Sequence, residues 1–426
     1  MGSRRLLSFL LLCISICAGL PVPAFADSAQ VLPKGVFKAD TQANFYFNMD
    51  KRFDPDGHTE DVSTDFNGTL NSQVFPPLGT LDNVFFGGVQ GTAVIGNSVV
   101  KFNYEVQEIK MTFTYGLTEK VTVGLIVPYR WQTTKVTVAQ LDNSTATVGK
   151  NPFFGQPNDP FRGAPLIPLS LGGQALTTED AQNLLGAGLV VNGILLPGSG
   201  LGYQRLETWA DSGFGDLELG GRYQYWKSTD WRFAFTGGVR FPTGKVDDPD
   251  NLVDTGFGSG AYALLFRLNN DYTGIDGLIL NLTLRYDLTL PVHETKRVRT
   301  SVNAVLAPPQ NKEEVKINTG DWMEIETSGT YSFSKVFFGS LLYRYAGKGK
   351  DSVSGNRGLN YSSLEEETDS TYQMVRCDVT LSTVPLFVEK KFKVPMDTIL
   401  TYGNVFAGSN NFVKQQWFGL TLSLYF

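Results

Sequence analysis

From Leu278 to Leu290 the chain alternates without a break. Leu278, Leu280, Leu282, Leu284, Tyr286, Leu288 and Leu290 fall on one face of an extended strand. Ile279, Asn281, Thr283, Arg285, Asp287 and Thr289 fall on the other. Such a strand has hydrocarbon on one side and Arg, Asp and Asn on the opposite side, so it separates oil from water. Its length suits a tilted crossing of a ~30 Å hydrocarbon layer. The same parity recurs along the chain. Ile109, Met111, Phe113 and Tyr115 alternate with Glu108, Lys110, Thr112 and Thr114, and Val121 to Val127 follow after a turn. Phe233, Phe235 and Val239 oppose Arg232, Thr236 and Arg240, and the chain closes on Phe418, Leu420, Leu422, Leu424 and Phe426 against Thr421, Ser423 and Tyr425. A soluble sandwich would bury the apolar face of any one such strand. It accounts poorly for a dozen long ones, because sandwich strands usually run about 5–6 residues. No apolar stretch of helix-spanning length follows Leu20.

The pattern predicts an all-β transmembrane antiparallel β-barrel. Strands are expected near 35–51, 98–115, 121–138, 213–227, 230–242, 256–268, 278–291, 320–334, 336–348, 371–384, 396–407 and 414–426. That gives twelve, with fourteen the alternative if 52–97 or 139–212 hides a hairpin. The connections 116–120, 228–229, 269–277, 335 and 385–395 are the short set, and 52–97, 139–212, 243–255, 292–319 and 349–370 the long set; 408–413 departs from the trend. Bacterial barrels have an even strand number, short periplasmic turns and long outer loops. Both termini are accordingly expected in the periplasm, with long extracellular loops at about 52–97 and 139–212. Trp226 and Trp231 beside one short turn, Tyr115 before another, and Tyr129 with Trp131 toward a strand's far end suit interfacial girdles.

The first 26 residues read as a Sec-type signal peptide. Arg4 and Arg5 precede an apolar run from Leu6 to Leu20, and Ala24-Phe25-Ala26 is an A-x-A site. Cleavage after Ala26 leaves the barrel as residues 27–426. The whole chain has 36 Lys and Arg against 42 Asp and Glu; the leader takes two Arg and no acid, so the net charge moves from −6 to −8. That balance excludes nucleic acid as a partner, which requires a basic face. Cys13 and Cys17 leave with the leader, so Cys377 alone remains and no internal disulfide forms.

The terminal Leu-Tyr-Phe, with Tyr425 and Phe426, resembles the aromatic assembly signal of bacterial outer-membrane barrels. Three further stretches carry a resemblance: Tyr115-Gly-Leu-Thr-Glu-Lys-Val-Thr-Val-Gly, Gly213-Phe-Gly-Asp-Leu-Glu-Leu-Gly-Gly-Arg-Tyr and Gly238-Val-Arg-Phe-Pro-Thr-Gly244. They resemble the outer-membrane family named for the meta-cleavage pathway of phenol degradation, related to the long-chain fatty-acid transporters. The resemblance implies a bacterial outer-membrane location and passage of small hydrophobic or aromatic solutes. It also implies outer-membrane lipid, lipopolysaccharide and the barrel-assembly machinery as partners. The fatty-acid transporters carry an N-terminal plug with an Asn-Pro-Ala signature. Here strand one, starting near Gly35, leaves no room for one, and the similar Asn151-Pro152-Phe153 falls in a loop.

Twelve strands enclose a lumen wider than a side-chain-filled eight-stranded barrel and narrower than a porin. Candidate lumen-lining charges are Asp216, Glu218, Arg222, Arg232, Arg240 and Arg285, with Asp287, Glu324, Glu326, Arg344, Arg376 and Asp378. Two readings stay open for them: a selective lining, or mutual neutralisation that closes the lumen. In 139–212, Thr177 and Asp180 suit a helix start. Leu184, Leu185, Leu189, Ile194 and Leu195 are candidates for ligand capture, for a constriction, or for a self-packed loop. No cofactor and no metal site is expected. A catalytic role is not expected either: the histidines His58 and His293 fall in loops and no G-x-S-x-G occurs. The competing functions are a channel for small hydrophobic or aromatic solutes, passing passively through the lumen, and a structural or assembly barrel with a closed lumen.

Overall fold

The computed structural model describes residues 27–301 and 304–426. The expected leader, 1–26, lies outside the described residues. Twelve long strands form a closed antiparallel barrel: β1 (Phe37–Tyr46), β2 (Asn97–Thr118), β3 (Val121–Asp142), β4 (Leu217–Lys227), β5 (Trp231–Phe241), β6 (Ala263–Ile275), β7 (Leu278–Thr289), β8 (Trp322–Ser334), β9 (Phe337–Lys348), β10 (Ser370–Ser382), β11 (Met396–Ser409) and β12 (Gln416–Tyr425). Every strand pairs with its sequence neighbours. The wall closes where β1 pairs with β12, Lys38 opposite Tyr425 and Tyr46 opposite Trp417. Two extra segments join the sheet, Trp209–Phe214 on β3 and Gly68–Thr69 on β2. The strand count is therefore the expected twelve. The segments 52–97 and 139–212 hold short ladders of their own and add no hairpin to the wall. Among the described residues no helix is long and apolar enough to cross a membrane.

The wall is apolar outside and polar inside. On β7, Leu280, Leu282 and Leu284 are 42%, 41% and 40% exposed, while Asn281, Thr283 and Asp287 keep only 6%, 2% and 1%. A water-soluble protein would reverse this, because burying polar groups costs free energy unless each finds a partner. Exposed aromatics collect near both rims. Tyr115, Tyr225, Trp226, Trp231, Phe337 and Phe426 lie toward one end, and Phe45, Phe47, Trp131, Phe214 and Tyr262 toward the other.

The two ends differ as the loop lengths foretold. At the turn end, Ile275 pairs with Leu278 across Asp276-Gly277, and Gly277 supplies the positive φ of 74° that the tight reversal requires. At the loop end, the long connections carry α1 (Gly79–Phe85), α2 (Thr178–Leu185) and a separate three-stranded sheet of Val292–Arg297, Lys312–Asn318 and Ser352–Ser354. A five-residue helix, α3 (Val384–Val388), occupies the longest turn-end connection.

Two expectations need correction. The sixth strand occupies Ala263–Ile275 instead of 256–268. The polar run Asn269-Asn270-Asp271 imitates a turn, but Asn269 and Asp271 are fully buried in the lumen, and the Asn270 amide donates to the Leu282 carbonyl at 3.1 Å. The chain before Gly35 is also not free of the barrel. Residues 27–34 enter the lumen from the turn end: the Leu32 N–H donates to Thr122 Oγ1 at 2.8 Å, and Gly35 N–H to the Gly116 carbonyl at 2.8 Å. Eight residues without periodicity leave no mark that pattern reading detects.

Candidate functional site: the barrel lumen

The inward rows of side chains build three tiers. Nearest the loops, Tyr46, Trp322, Tyr372 and Trp417 meet Phe53 and Phe412, which fold back from the loops into the mouth. Tyr372 and Phe412 stack at 4.4 Å between centroids, and Tyr46 lies 5.6 Å from Trp417. Gly403 makes room for this packing, since a Cβ there would sit 2.1 Å from the Trp417 indole.

Below the aromatics runs a belt of ion pairs. Arg130 Nε donates to Glu108 at 2.9 Å, and Arg240 bridges Glu218 at 2.7 Å and Asp287 at 3.0 Å. Arg285 also holds Asp287, and Arg344 reaches both Glu324, at 3.1 Å, and Glu326. Arg376 pairs with Asp378 at 3.0 Å, and the Thr401 hydroxyl donates to the same carboxylate at 2.7 Å. Arg130–Glu108, Arg240–Glu218, Arg240–Asp287 and the two Arg344 pairs join different strands, whereas Arg285–Asp287 and Arg376–Asp378 are i, i+2 neighbours on one inward face, as the period of two places them.

Toward the turn end lies the N-terminal segment, together with Lys38–Asp40 at 2.9 Å and Tyr425, whose hydroxyl donates to Asp397 at 2.6 Å. A cavity of about 1310 Å³ runs from Lys335, Phe387 and Phe426 at the turn end up to Arg285, Glu324, Arg344 and Arg376 in the belt. None of the six aromatics of the upper tier lines it.

Nine of the twelve charges picked from the sequence line this cavity: Glu218, Arg222, Arg232, Arg285, Glu324, Glu326, Arg344, Arg376 and Asp378. Arg240 and Asp287 belong to the belt behind them. Asp216 stands apart, in the break between 209–214 and β4. Its carboxylate accepts from Gly244 N–H at 3.0 Å and from Ser259 N–H and Oγ at 2.8 Å, tying loop 242–262 to the wall. Sequence reading passed over Lys38, Lys110, Glu108, Arg130 and Arg267. For Glu108 and Lys110 the signal is present in the polar parity of β2, and Arg267 lies within the expected 256–268 as well as in β6.

The loop candidates divide. Helix α2 begins at the expected capping box, with Thr177 and Asp180 each accepting from the other's backbone N–H. Leu184, Leu185 and Leu189 are buried against Phe75, Leu78, Leu81 and Leu166 in a hydrophobic core shared by the two longest loops. Ile194 and Leu195 are 44% and 51% exposed on a small hairpin. No residue of 143–208 lines the lumen cavity.

Arg297 locks the loops together. Its guanidinium donates to the carbonyls of Leu201, Gly202 and Ala307 at 2.6, 2.7 and 3.1 Å, pairs with Asp250 at 2.7 Å and lies 3.9 Å from the Tyr203 ring centroid. Burial alone would raise the Asp250 carboxyl; hydrogen bonds from Lys312 and Arg297 outweigh it and hold the group below the ordinary carboxylate range. This contribution is present above the ordinary carboxylate pKa and is lost as pH falls through the depressed value. Arg297→Met should therefore strand the buried carbonyls of Leu201 and Ala307 and speed protease cleavage within 190–210 and 304–310 by several-fold, with barrel heat-modifiability unchanged. Equal cleavage in variant and parent would show that the loops hold without it.

Residues 168–365 match the family model described as putative MetA-pathway of phenol degradation. That is the family the strand and turn motifs resemble. The match to this phenol-degradation family spans loop α2, β4 to β9 and the Arg- and Glu-bearing rows between them. No curated protein matches the chain. Among solved structures, an outer membrane channel from Pseudomonas putida F1 aligns with a TM-score of 0.52 at 10% identity, covering 95% of this chain and 100% of that one. At that identity the likeness is one of fold. A Pseudomonas aeruginosa FadL homologue aligns at TM-score 0.31 and 7% identity, covering 92% of this chain and 89% of that one.

Proposed function

We propose that the protein is an outer-membrane channel through which small hydrophobic or aromatic solutes pass passively along the lumen. The observation that carries this reading is the inside-out wall: apolar residues face outward all round, and a charged, cavity-bearing lumen lies within. The phenol-degradation family supports the solute class, and the apolar part of the cavity lining, with Val31, Leu32, Ile126 and Leu265, offers aromatic rings a surface. The turn end is assigned to the periplasm and the loop end to the exterior, where the loops meet lipopolysaccharide, because bacterial barrels distribute short and long connections this way. Both chain ends then lie on the periplasmic side.

Assembly follows from the same reading. Phe426 closes the wall through paired backbone hydrogen bonds with Phe37, at 2.8 and 3.1 Å, and its side chain is 71% exposed. Deleting Phe426 should lower the heat-modifiable outer-membrane fraction several-fold in cells while refolding in detergent proceeds. Undiminished membrane levels would remove Tyr425 and Phe426 as a signal to the assembly machinery.

One observation favours a second reading, a structural barrel with a closed lumen: the aromatic tier lies across the loop end of the cavity. Planar-bilayer recording of the refolded protein separates the two. Stable single-channel steps that phenol or toluene blocks support the channel. Silence in the bilayer, together with no uptake of those solutes into liposomes, supports the closed barrel.

A further inference from the structure

Residues Asp27, Ser28 and Ala29 sit in the lumen as a ligand sits in a site. The Asp27 carboxylate lies between two guanidiniums, that of Arg222 on β4 and that of Arg267 on β6, the latter at 3.1 Å. The Asp27 carbonyl accepts from Asn269 Nδ2 at 2.7 Å, Thr283 Oγ1 at 3.0 Å and Asn281 Nδ2 at 3.4 Å. The Ser28 hydroxyl and the Ala29 N–H donate to Asp271 at 2.7 and 3.1 Å, and Gln224 donates to the Ala29 carbonyl at 2.9 Å. Ser28 and Ala29 are 4% and 0% exposed. The receiving groups are strand-borne and fixed, whereas the occupant belongs to a short segment, 27–34, without regular structure.

The electrostatics make this site depend on its occupant. Asp27 is the only carboxylate that pairs with Arg222 among the described residues, and without it Arg267 keeps only Glu218 at 3.8 Å. An enclosed guanidinium without a counter-charge is costly. A third cation points the same way: the Lys110 side chain lines the same cavity, and its ammonium makes no ion pair or hydrogen bond among the described residues. Beside these charges the lining is apolar at Val31, Leu32, Ile126, Leu265 and Ile399.

We propose that the Arg222–Arg267 site takes the carboxylate of a small amphiphilic monocarboxylate, its apolar body on the adjacent lining, and that Asp27 is the resident occupant that such a solute displaces. The proposal deepens the channel reading and rests on it for the route by which the solute arrives. The test is binding, with benzoate as probe and benzyl alcohol as the uncharged counterpart, on the full refolded chain. Asp27→Asn should bind benzoate more than about tenfold tighter than the parent, the weight of one charge-assisted hydrogen bond, and benzyl alcohol equally in both. Arg222→Gln in that background should abolish the gain. Equal benzoate affinity for parent and Asp27→Asn, or an equal gain for benzyl alcohol, overturns the site. A readout on the unaltered chain guards against a variant that does not fold: benzoate should raise amide exchange across 27–34 several-fold, and unchanged exchange overturns the displacement. Benzoate binding with neither bilayer conductance nor liposome uptake of phenol or toluene would leave this site standing and sink the channel reading, and conductance or uptake without benzoate binding would do the reverse.

Discussion

Replacing Arg344 by methionine is expected to cost the barrel about 3–5 kcal/mol, because the change leaves buried carboxylates without their cation. Glu324 and Glu326 keep only 7% and 2% exposure, and Arg344 is the only cation that reaches either within 4 Å among the described residues. The loss arises from the charges left behind and hardly at all from the missing side chain. That assignment has a consequence. Adding Glu324→Gln and Glu326→Gln to Arg344→Met should recover most of the stability, since fully neutralised buried clusters are often as stable as the charged ones they replace. Urea unfolding in detergent, followed by gel mobility of unheated samples, measures both. A loss under about 1 kcal/mol for Arg344→Met would mean that water in the cavity already screens the two carboxylates.

The same cluster shows what could be read from the sequence and what could not. Arg344, Glu324 and Glu326 were assigned inward by parity alone, since a strand that alternates Leu or Tyr with charge in a membrane has one way to face. Their partnership was invisible. It depends on register between β8 and β9, Glu326 opposite Arg344, and register is fixed by turns and bulges whose effect on pairing the pattern does not encode. Strand count and loop asymmetry were legible because each strand repeats one signal over ten residues or more. Asn269 and Asp271 were lost because inward polar residues at the start of a turn and inward polar residues in a strand look alike. The N-terminal segment was lost for a different reason. It forms no regular element, and its place is set by side chains drawn from every strand between β3 and β7, from Thr122 to Thr283. Leu184, Leu185 and Leu189 were legible as apolar, but that they meet Phe75 and Leu78 is a matter of how two long loops pack, which no local period specifies.

The outward rows allow a sharper test of what surrounds this wall. Leu284 sits at the middle of β7, 40% exposed, and Leu117 lies at the turn-end rim of β2, 52% exposed. In water both would be exposed leucines, and exchanging either for arginine would change stability by no more than about 0.5 kcal/mol. In a bilayer they differ by depth. Leu284→Arg should cost about 2–4 kcal/mol, while Leu117→Arg should cost about 0–1 kcal/mol because its guanidinium reaches the head-group region. The contrast is insensitive to packing, since neither side chain contributes to the lumen. Equilibrium unfolding of both variants in phospholipid vesicles gives the two values directly, and the outer-membrane fraction in cells should fall for Leu284→Arg and hold for Leu117→Arg. Equal, near-zero costs at the two depths would place the leucine rows in water and remove the ground on which the channel reading stands.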